Sequence, residues 1–281
     1  MLVDAGRRRR TSRAGSWHWF RSATFGALPL VALATLGILC AAWTAAPAEA
    51  QTPQPVPKCV TFPNNVLLSL AVCCAHSLQS SGSCRAYDAK DEYVILKDHD
   101  DKKPAAYLII PTVAIPDIGS SKIFDAPFVD FWEYGWQQAG KWVGVPQGTK
   151  GVPPDRLALA INSQGSISQH QLHIHLACIR PDVAKVLAAY DQDIGFDPAK
   201  PLSLRLPPHQ NEYAVVKDKC LTGTDSPFKI VSRIDDAGNN MANQSVAVSA
   251  AKTAGVFYVM DTSGAAASAE ELLDQGNTCT K

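Results

Sequence analysis

The chain has 281 residues, 46% of them hydrophobic and 19% charged, with 18 Gly and 19 Pro. That composition is globular and excludes a disordered or fibrous protein. Basic and acidic residues number 26 each, but six arginines (Arg7, Arg8, Arg9, Arg10, Arg13, Arg21) stand within the first 50 residues against only Asp4 and Glu49, which leaves the rest near −4. A weakly acidic body offers phosphates no attractive field, so nucleic acid is excluded as a partner.

Arg7–Arg10 lead into an uncharged apolar run, Phe25–Trp43, followed by small residues ending in Ala48-Glu49-Ala50. A positive segment, an apolar segment and an A-x-A site in that order predict a secretory signal over residues 1–50. At about 19 residues the run is also long enough to span a bilayer uncleaved, as a signal anchor. In both cases the arginines stay inside and the body is exported, so the expected location is the inner membrane, with the body on the periplasmic or external side. Seven cysteines follow residue 50: Cys59, Cys73, Cys74, Cys84, Cys178, Cys220 and Cys279. An oxidising compartment pairs most of them. Cys73 or Cys74 with Cys84 is the expected local pair, because Ser80-Ser81-Gly82 can turn the chain between them. The odd count leaves at least one without an internal partner.

Residues 51–62 are Pro-rich and predict a linker; residues 63–281 are read as one domain, with a core over 90–190 and an extension over 200–281. Asn64 or Asn65 caps a predicted helix over Val66–Ser77. Tyr93–Lys97 and Ala106–Ile110 are β-branched and aromatic runs separated by a charged turn, which predicts a hairpin. Phe128, Phe131, Trp132, Gly135, Trp136 and Ala139 recur at helical spacing over 126–143. That aromatic stripe either packs as core or lines a groove for acyl chains. Leu157–Ile161 predicts a strand, Ser163–Ser168 a polar loop, Gln171–Ala177 a second strand, and Pro181 opens a helix to about Tyr190. Shorter units follow at Tyr213–Lys217, Phe228–Ile234, Val246–Ser249 and Val256–Asp261, then a final helix over Ala267–Asp274. No repeat of fixed period is present. The connections are too short for parallel crossovers, so the expected class is α+β with a mostly antiparallel sheet flanked by helices.

Three of the seven histidines fall in Gln169-His170-Gln171-Leu172-His173-Ile174-His175-Leu176. Strand alternation puts Gln171, His173 and His175 on one face and Leu172, Ile174 and Leu176 on the other. An apolar face clamps such a strand while two imidazoles project together. That pair suits nucleophilic attack on phosphorus or the sharing of a metal ion. The loop upstream can present backbone N–H groups to an anion.

The stretch Leu159-Ala160-Ile161-Asn162-Ser163, then Ser168, then Gln171-Leu172-His173-Ile174-His175, resembles the active-site segment of the histidine-triad (HIT) superfamily. With Val94–Asp98, Tyr107–Pro111 and the block His173–Asp182 (HIHLACIRPD), it most resembles the bacterial CDP-diacylglycerol pyrophosphatases. The resemblance implies a HIT-like fold and hydrolysis of CDP-diacylglycerol to CMP and phosphatidate at the membrane, with water as second substrate and no metal or cofactor. It implies that His173 is the nucleophile and forms a cytidylyl-histidine, and that His175 stands by the phosphates and leaving group. It further implies that Ser168 and Asn162 contact phosphate, that Asp98 binds the ribose hydroxyls, and that Ile95 and Leu96 wall the base pocket. The first triad position is Gln171 where the superfamily has His. That position supports geometry, and an amide still donates and accepts hydrogen bonds. Arg180 either contacts phosphate or flanks the helix start. A backbone carbonyl or carboxylate is expected to hold the other ring nitrogen of His173.

Three other readings remain open: an exported HIT-like hydrolase or transferase acting on a soluble nucleotide, a metal site built from His173, His175 and Cys178, and a non-catalytic exported binding module. His76, His99 and His209 are expected at the surface, and Asp100–Lys103 is expected to be a solvated turn.

Overall fold

The computed structural model describes residues 60–76, 82–144, 151–234, 240–276 and 279. The signal or anchor expected over 1–50, with its apolar run Phe25–Trp43, lies outside them. Among the described residues no helix is long and apolar enough to cross a membrane.

The elements are α1 (Val66–His76), β1 (Cys84–Asp88), β2 (Tyr93–Lys97), β3 (Tyr107–Pro111), α2 (Phe131–Trp142), β4 (Leu157–Ile161) and β5 (Ile174–Ile179). They continue with α3 (Pro181–Ala189), β6 (Leu202–Leu206), β7 (Asn211–Asp218), α4 (Pro227–Val231), β8 (Gln244–Ala250), β9 (Phe257–Ser263) and β10 (Leu273–Asp274). The strands make one antiparallel sheet in the order β1-β2-β3-β5-β4-β8-β9-β7-β6, with β10 pairing β5 off that path. The class is α+β, as expected.

The order is symmetric about the β4–β8 ladder, in which Ala158 faces Ser249 and Ile161 faces Val246. On one side a hairpin, β2-β3, is followed by α2 and a second hairpin, β4-β5, whose last strand docks beside β3. On the other side β6-β7, α4 and β8-β9 repeat that plan, with β9 beside β7. Two halves of one topology thus share a sheet, although the sequence shows no period.

Strands β2 to β5 are apolar apart from Lys97 and His175, because both faces of the sheet are covered. One face packs Ile95, Ile109, Leu159, Ile174 and Leu176 against Phe131, Trp132 and Ala139 of α2. Gly135 permits that approach: a Cβ there would lie 2.8 Å from Leu159 Cδ2. The aromatic stripe is therefore mainly core. On the opposite face α1 covers Val94, Leu96, Leu108 and Ile110. Further along, α3 and the segment around Leu272 cover Ala158, Ala160, Ala177 and Ala247. His175, paired with Leu108 on one side and Ala160 on the other, falls on this face between the two covers.

Several boundaries differ from expectation. The strand predicted from Gln171 starts at Ile174 and runs on to Ile179. Before Ile174 the backbone is held by loops, Leu172 N donating to Ile115 O at 2.6 Å. The helix predicted from residue 126 starts at Phe131; before it Phe128–Asp130 is a single 3₁₀ turn, in which Asp130 N donates to Pro127 O at 3.1 Å. The terminal helix over Ala267–Asp274 is instead a 3₁₀ turn, Ala269–Leu272, followed by β10, since pairing with Ile179 and Cys178 straightens the chain. Phe228–Ile234 begins as part of helix α4. Of the two local disulfide candidates, Cys74 bonds Cys84; Cys178 bonds Cys279, and Cys220 is exposed as a free thiol.

Candidate active site

The two imidazoles meet in the gap between the helix covers. His173 is 9% exposed and His175 6%, with ring centroids 5.0 Å apart and planes at 68°. His173 Nδ1 lies 2.7 Å from the backbone carbonyl oxygen of Gln171. A carbonyl only accepts, so Nδ1 carries the proton and Nε2 keeps its lone pair. Burial holds His173 below its ordinary value, against the opposing pull of the Gln171 carbonyl, Glu270 and Asp98. The ring is neutral near pH 7.

The side chain of Gln171 is fully buried and points away from the imidazoles. Its Nε2 donates to Pro111 O at 3.2 Å and to Val113 O at 2.8 Å, and its Oε1 accepts from Asn65 Nδ2 at 3.3 Å. Asn65 also caps α1, Oδ1 accepting from Leu68 N, and donates to His170 O. The first triad position therefore fastens the entry of β5 to β3 and α1. An amide suits this because it donates twice and still accepts, whereas a neutral imidazole has one N–H.

His175 faces a carboxylate that no motif announces. Its Nε2 is 3.4 Å from Oε2 of Glu270, while its Nδ1 is buried with no hydrogen-bond partner among the described residues. Burial lowers the proton affinity of His175 more than Glu270 raises it, and the ring is neutral. Burial pushes Glu270 up, but His175, Lys103 and Gln275 together pull it below its ordinary value, and the group is an anion. With His175 neutral, Lys103 is the charge that does this: its Nζ lies 2.5 Å from Oε1. Gln275 Nε2 also donates to Oε1 at 2.9 Å and Asn162 Nδ2 to Oε2 at 2.9 Å. Asn162 Oδ1 accepts in turn from the Glu270 backbone N–H and Ser268 Oγ. Lys103 is thus half-buried and engaged, which corrects the reading of Asp100–Lys103 as a wholly solvated turn.

The other expected residues divide. Asn162 is buried and reaches the histidines through Glu270. Ser168 is exposed at the end of the polar loop. That loop is pinned by Ser163 Oγ, which donates to Ala267 O at 2.9 Å. Asp98 sits at the hairpin end on the rim of a cavity of about 500 Å³, shared with Ser83, Lys97 and His99. Its charge is felt at His173. Leu96 and Ile95 do not form an open pocket wall: Leu96 is sealed beneath α1, and Ile95 points to the opposite face. The Arg180 guanidinium forks onto Asp182, Nη2 to Oδ2 at 2.7 Å and Nε to Oδ1 at 3.1 Å, at the start of α3. His76 is exposed, and so are His99, beside Ser83, and His209. The metal alternative fails on chemistry, since Cys178 is spent in the bond to Cys279 and cannot join His173 and His175 as a thiolate ligand.

Sequence reasoning finds neither Glu270 nor Lys103. Glu270 lies 108 residues from Asn162 and 167 from Lys103, inside a stretch read as a terminal helix, and no spacing pattern marks it.

The family model described as CDP-diacylglycerol pyrophosphatase matches residues 65–281. A protein of Yersinia pestis named CDP-diacylglycerol pyrophosphatase is 36% identical over 114 residues, 39% of this chain and 41% of that protein. The chain thus spans about two fifths of that relative's length. Among solved structures, the yeast Ap4A phosphorylase Apa2 aligns over 69% of this chain and 60% of its own, at 14% identity and a TM-score of 0.37. A Bacillus cereus DUF4931 family protein aligns over 64% of this chain and 84% of its own, at 9% identity and a TM-score of 0.36.

Proposed function

The chain belongs to the CDP-diacylglycerol pyrophosphatase family, and on that premise we propose that it hydrolyses the pyrophosphate bond of CDP-diacylglycerol to CMP and phosphatidate. The observation that carries the reading is the neutral His173, its Nδ1–H held by the Gln171 carbonyl and its Nε2 left nucleophilic. In the first step Nε2 attacks the CMP phosphorus in line. A P–N bond forms, the bridging P–O bond breaks, and its electron pair leaves on phosphatidate, a stable phosphate monoester. In the second step water attacks the same phosphorus. An O–P bond forms, the P–N bond breaks with its electron pair returning to Nε2, and the water proton passes to solvent.

His175 and Asn162 stand by the phosphates, Ser168 offers an open hydroxyl to them, and Asp98 takes the ribose hydroxyls from the cavity rim. Loop N–H groups and these side chains meet the developing charge without a metal ion. Gln171 acts through the backbone it fastens. Two acyl chains bury about 0.8 kcal/mol per methylene and keep the lipid in the bilayer. Phe25–Trp43 as a tether would accordingly bring the exported body to its substrate at the outer face of the inner membrane.

The test is hydrolysis of CDP-diacylglycerol in mixed micelles against a soluble CDP-alcohol and a dinucleotide, with wild type and His173→Ala. Release of CMP and phosphatidate by the wild type alone supports the reading. Turnover of only the soluble substrates replaces it with the nucleotide hydrolase.

A further inference from the structure

Glu270 reaches the histidines from the other half of the sheet, on the segment that follows β9. Its carboxylate is built into place: Lys103, Gln275 and Asn162 all donate to it, and its own backbone N–H returns a bond to Asn162. What remains facing His175 is Oε2, 3.4 Å from Nε2. An ionised carboxylate opposite a neutral ring selects the tautomer with the proton on the facing nitrogen. The lone pair then falls on Nδ1, the buried atom with no partner.

We propose that Glu270 is a positioning residue of the reaction, fixing the ring and the Nε2–H tautomer of His175 and setting one negative charge against the imidazole pair. This rests on the reading of His173 and His175 as the reacting pair and goes beyond it by adding the residue that orients the second ring. The arrangement follows the logic by which a buried acid holds a catalytic imidazole. The charged and titratable groups acting on His175 are Glu270, His173 and Lys103; at His173, Asp98 joins them.

Two measurements on the full-length protein test it. The first, long-range ¹H–¹⁵N NMR of the histidine rings, needs no substrate. The expected result is an Nε2–H tautomer for His175 and an Nδ1–H tautomer for His173. Glu270→Gln keeps the shape, loses the charge, and should shift the His175 titration to lower pH. The second is the pH profile of CDP-diacylglycerol hydrolysis. Glu270→Gln should lower kcat by about 10²-fold with little change in KM, and move the acid limb to lower pH. Lys103→Gln removes the opposite charge and should move the same limb to higher pH. A merely structural Glu270 would change thermal stability and leave both limbs in place; that result overturns the proposal, as does an Nδ1–H tautomer at His175. If the wild type does not hydrolyse the lipid while the NMR pattern holds, the substrate reading fails and the positioning role stands.

Discussion

His173 Nδ1 donates to the carbonyl oxygen of Gln171, two residues earlier in the chain, at 2.7 Å. So local a bond is available because Gln171–His173 lies just outside the regular strand, where backbone carbonyls are free of the ladder. It makes the tautomer of His173 a property of the backbone, anchored by the buried Gln171 side chain.

The first prediction concerns that anchor. Gln171→Ala leaves the Pro111 and Val113 carbonyls without their buried donor and should destabilise the fold by about 1–3 kcal/mol. Denaturant unfolding measures it. An unchanged midpoint would show that the amide holds nothing.

The pH dependence of activity follows from burial. Burial sets His173 and His175 below the ordinary 6.5, so the acid limb of kcat/KM should fall below pH 6.5. Between the folded and unfolded values the unfolded chain binds more protons. The stability contribution is therefore complete above about 6.5 and is lost as pH falls through the folded values. A limb at or above the ordinary imidazole value contradicts this account.

Asp261 titrates with the opposite sign. It is 5% exposed on β9, and burial pushes it up to about 7. The Gln244 amide, taken with its nitrogen toward the carboxyl, is 3.1–3.2 Å from both oxygens. The stability of this protonated group is present below the unfolded value and lost as pH rises through about 7. Asp261→Asn should therefore raise Tm relative to wild type at pH 8 and lose that advantage at pH 4. Equal differences at the two pH values would refute the assignment.

Gly165 tests the seam between the polar loop and the C-terminal segment. A Cβ at this position would overlap the Ala265 carbonyl oxygen. Gly165→Ala should thus part residues 163–168 from 264–267, displace Asn162 and Glu270 together, and lower kcat more than overall stability. Paired kinetics and thermal melts decide; a wild-type kcat means the seam does not govern the site.

Much of this was legible in the sequence for physical reasons. The Tyr93–Ile110 hairpin reads clearly because two apolar runs flank a charged turn. The Phe131–Ala139 stripe finds α2, and the His-Ile-His alternation brings the imidazoles together, although the strand begins only at Ile174 and the Gln171 side chain leaves their face. What escaped lies in long-range pairing. β10 is two residues long and exists through Ile179 and Cys178. β6 alternates as Leu-Ser-Leu-Arg-Leu, but Pro201, Pro207 and Pro208 around it mask the signal. Glu270 and Lys103 belong to the site through tertiary contact alone, and the repeated topology resides in strand order, where residue spacing does not record it.

The central claim is the covalent link to His173. The most direct measurement is brief incubation with CDP-diacylglycerol labelled in the CMP phosphate, an alkaline quench that preserves a phosphoramidate, and peptide mapping of the label. The account predicts label on the His173 peptide, removable by mild acid and absent from His173→Ala. Turnover with no protein-bound label at any time, or label persisting in the His173→Ala protein, would contradict it.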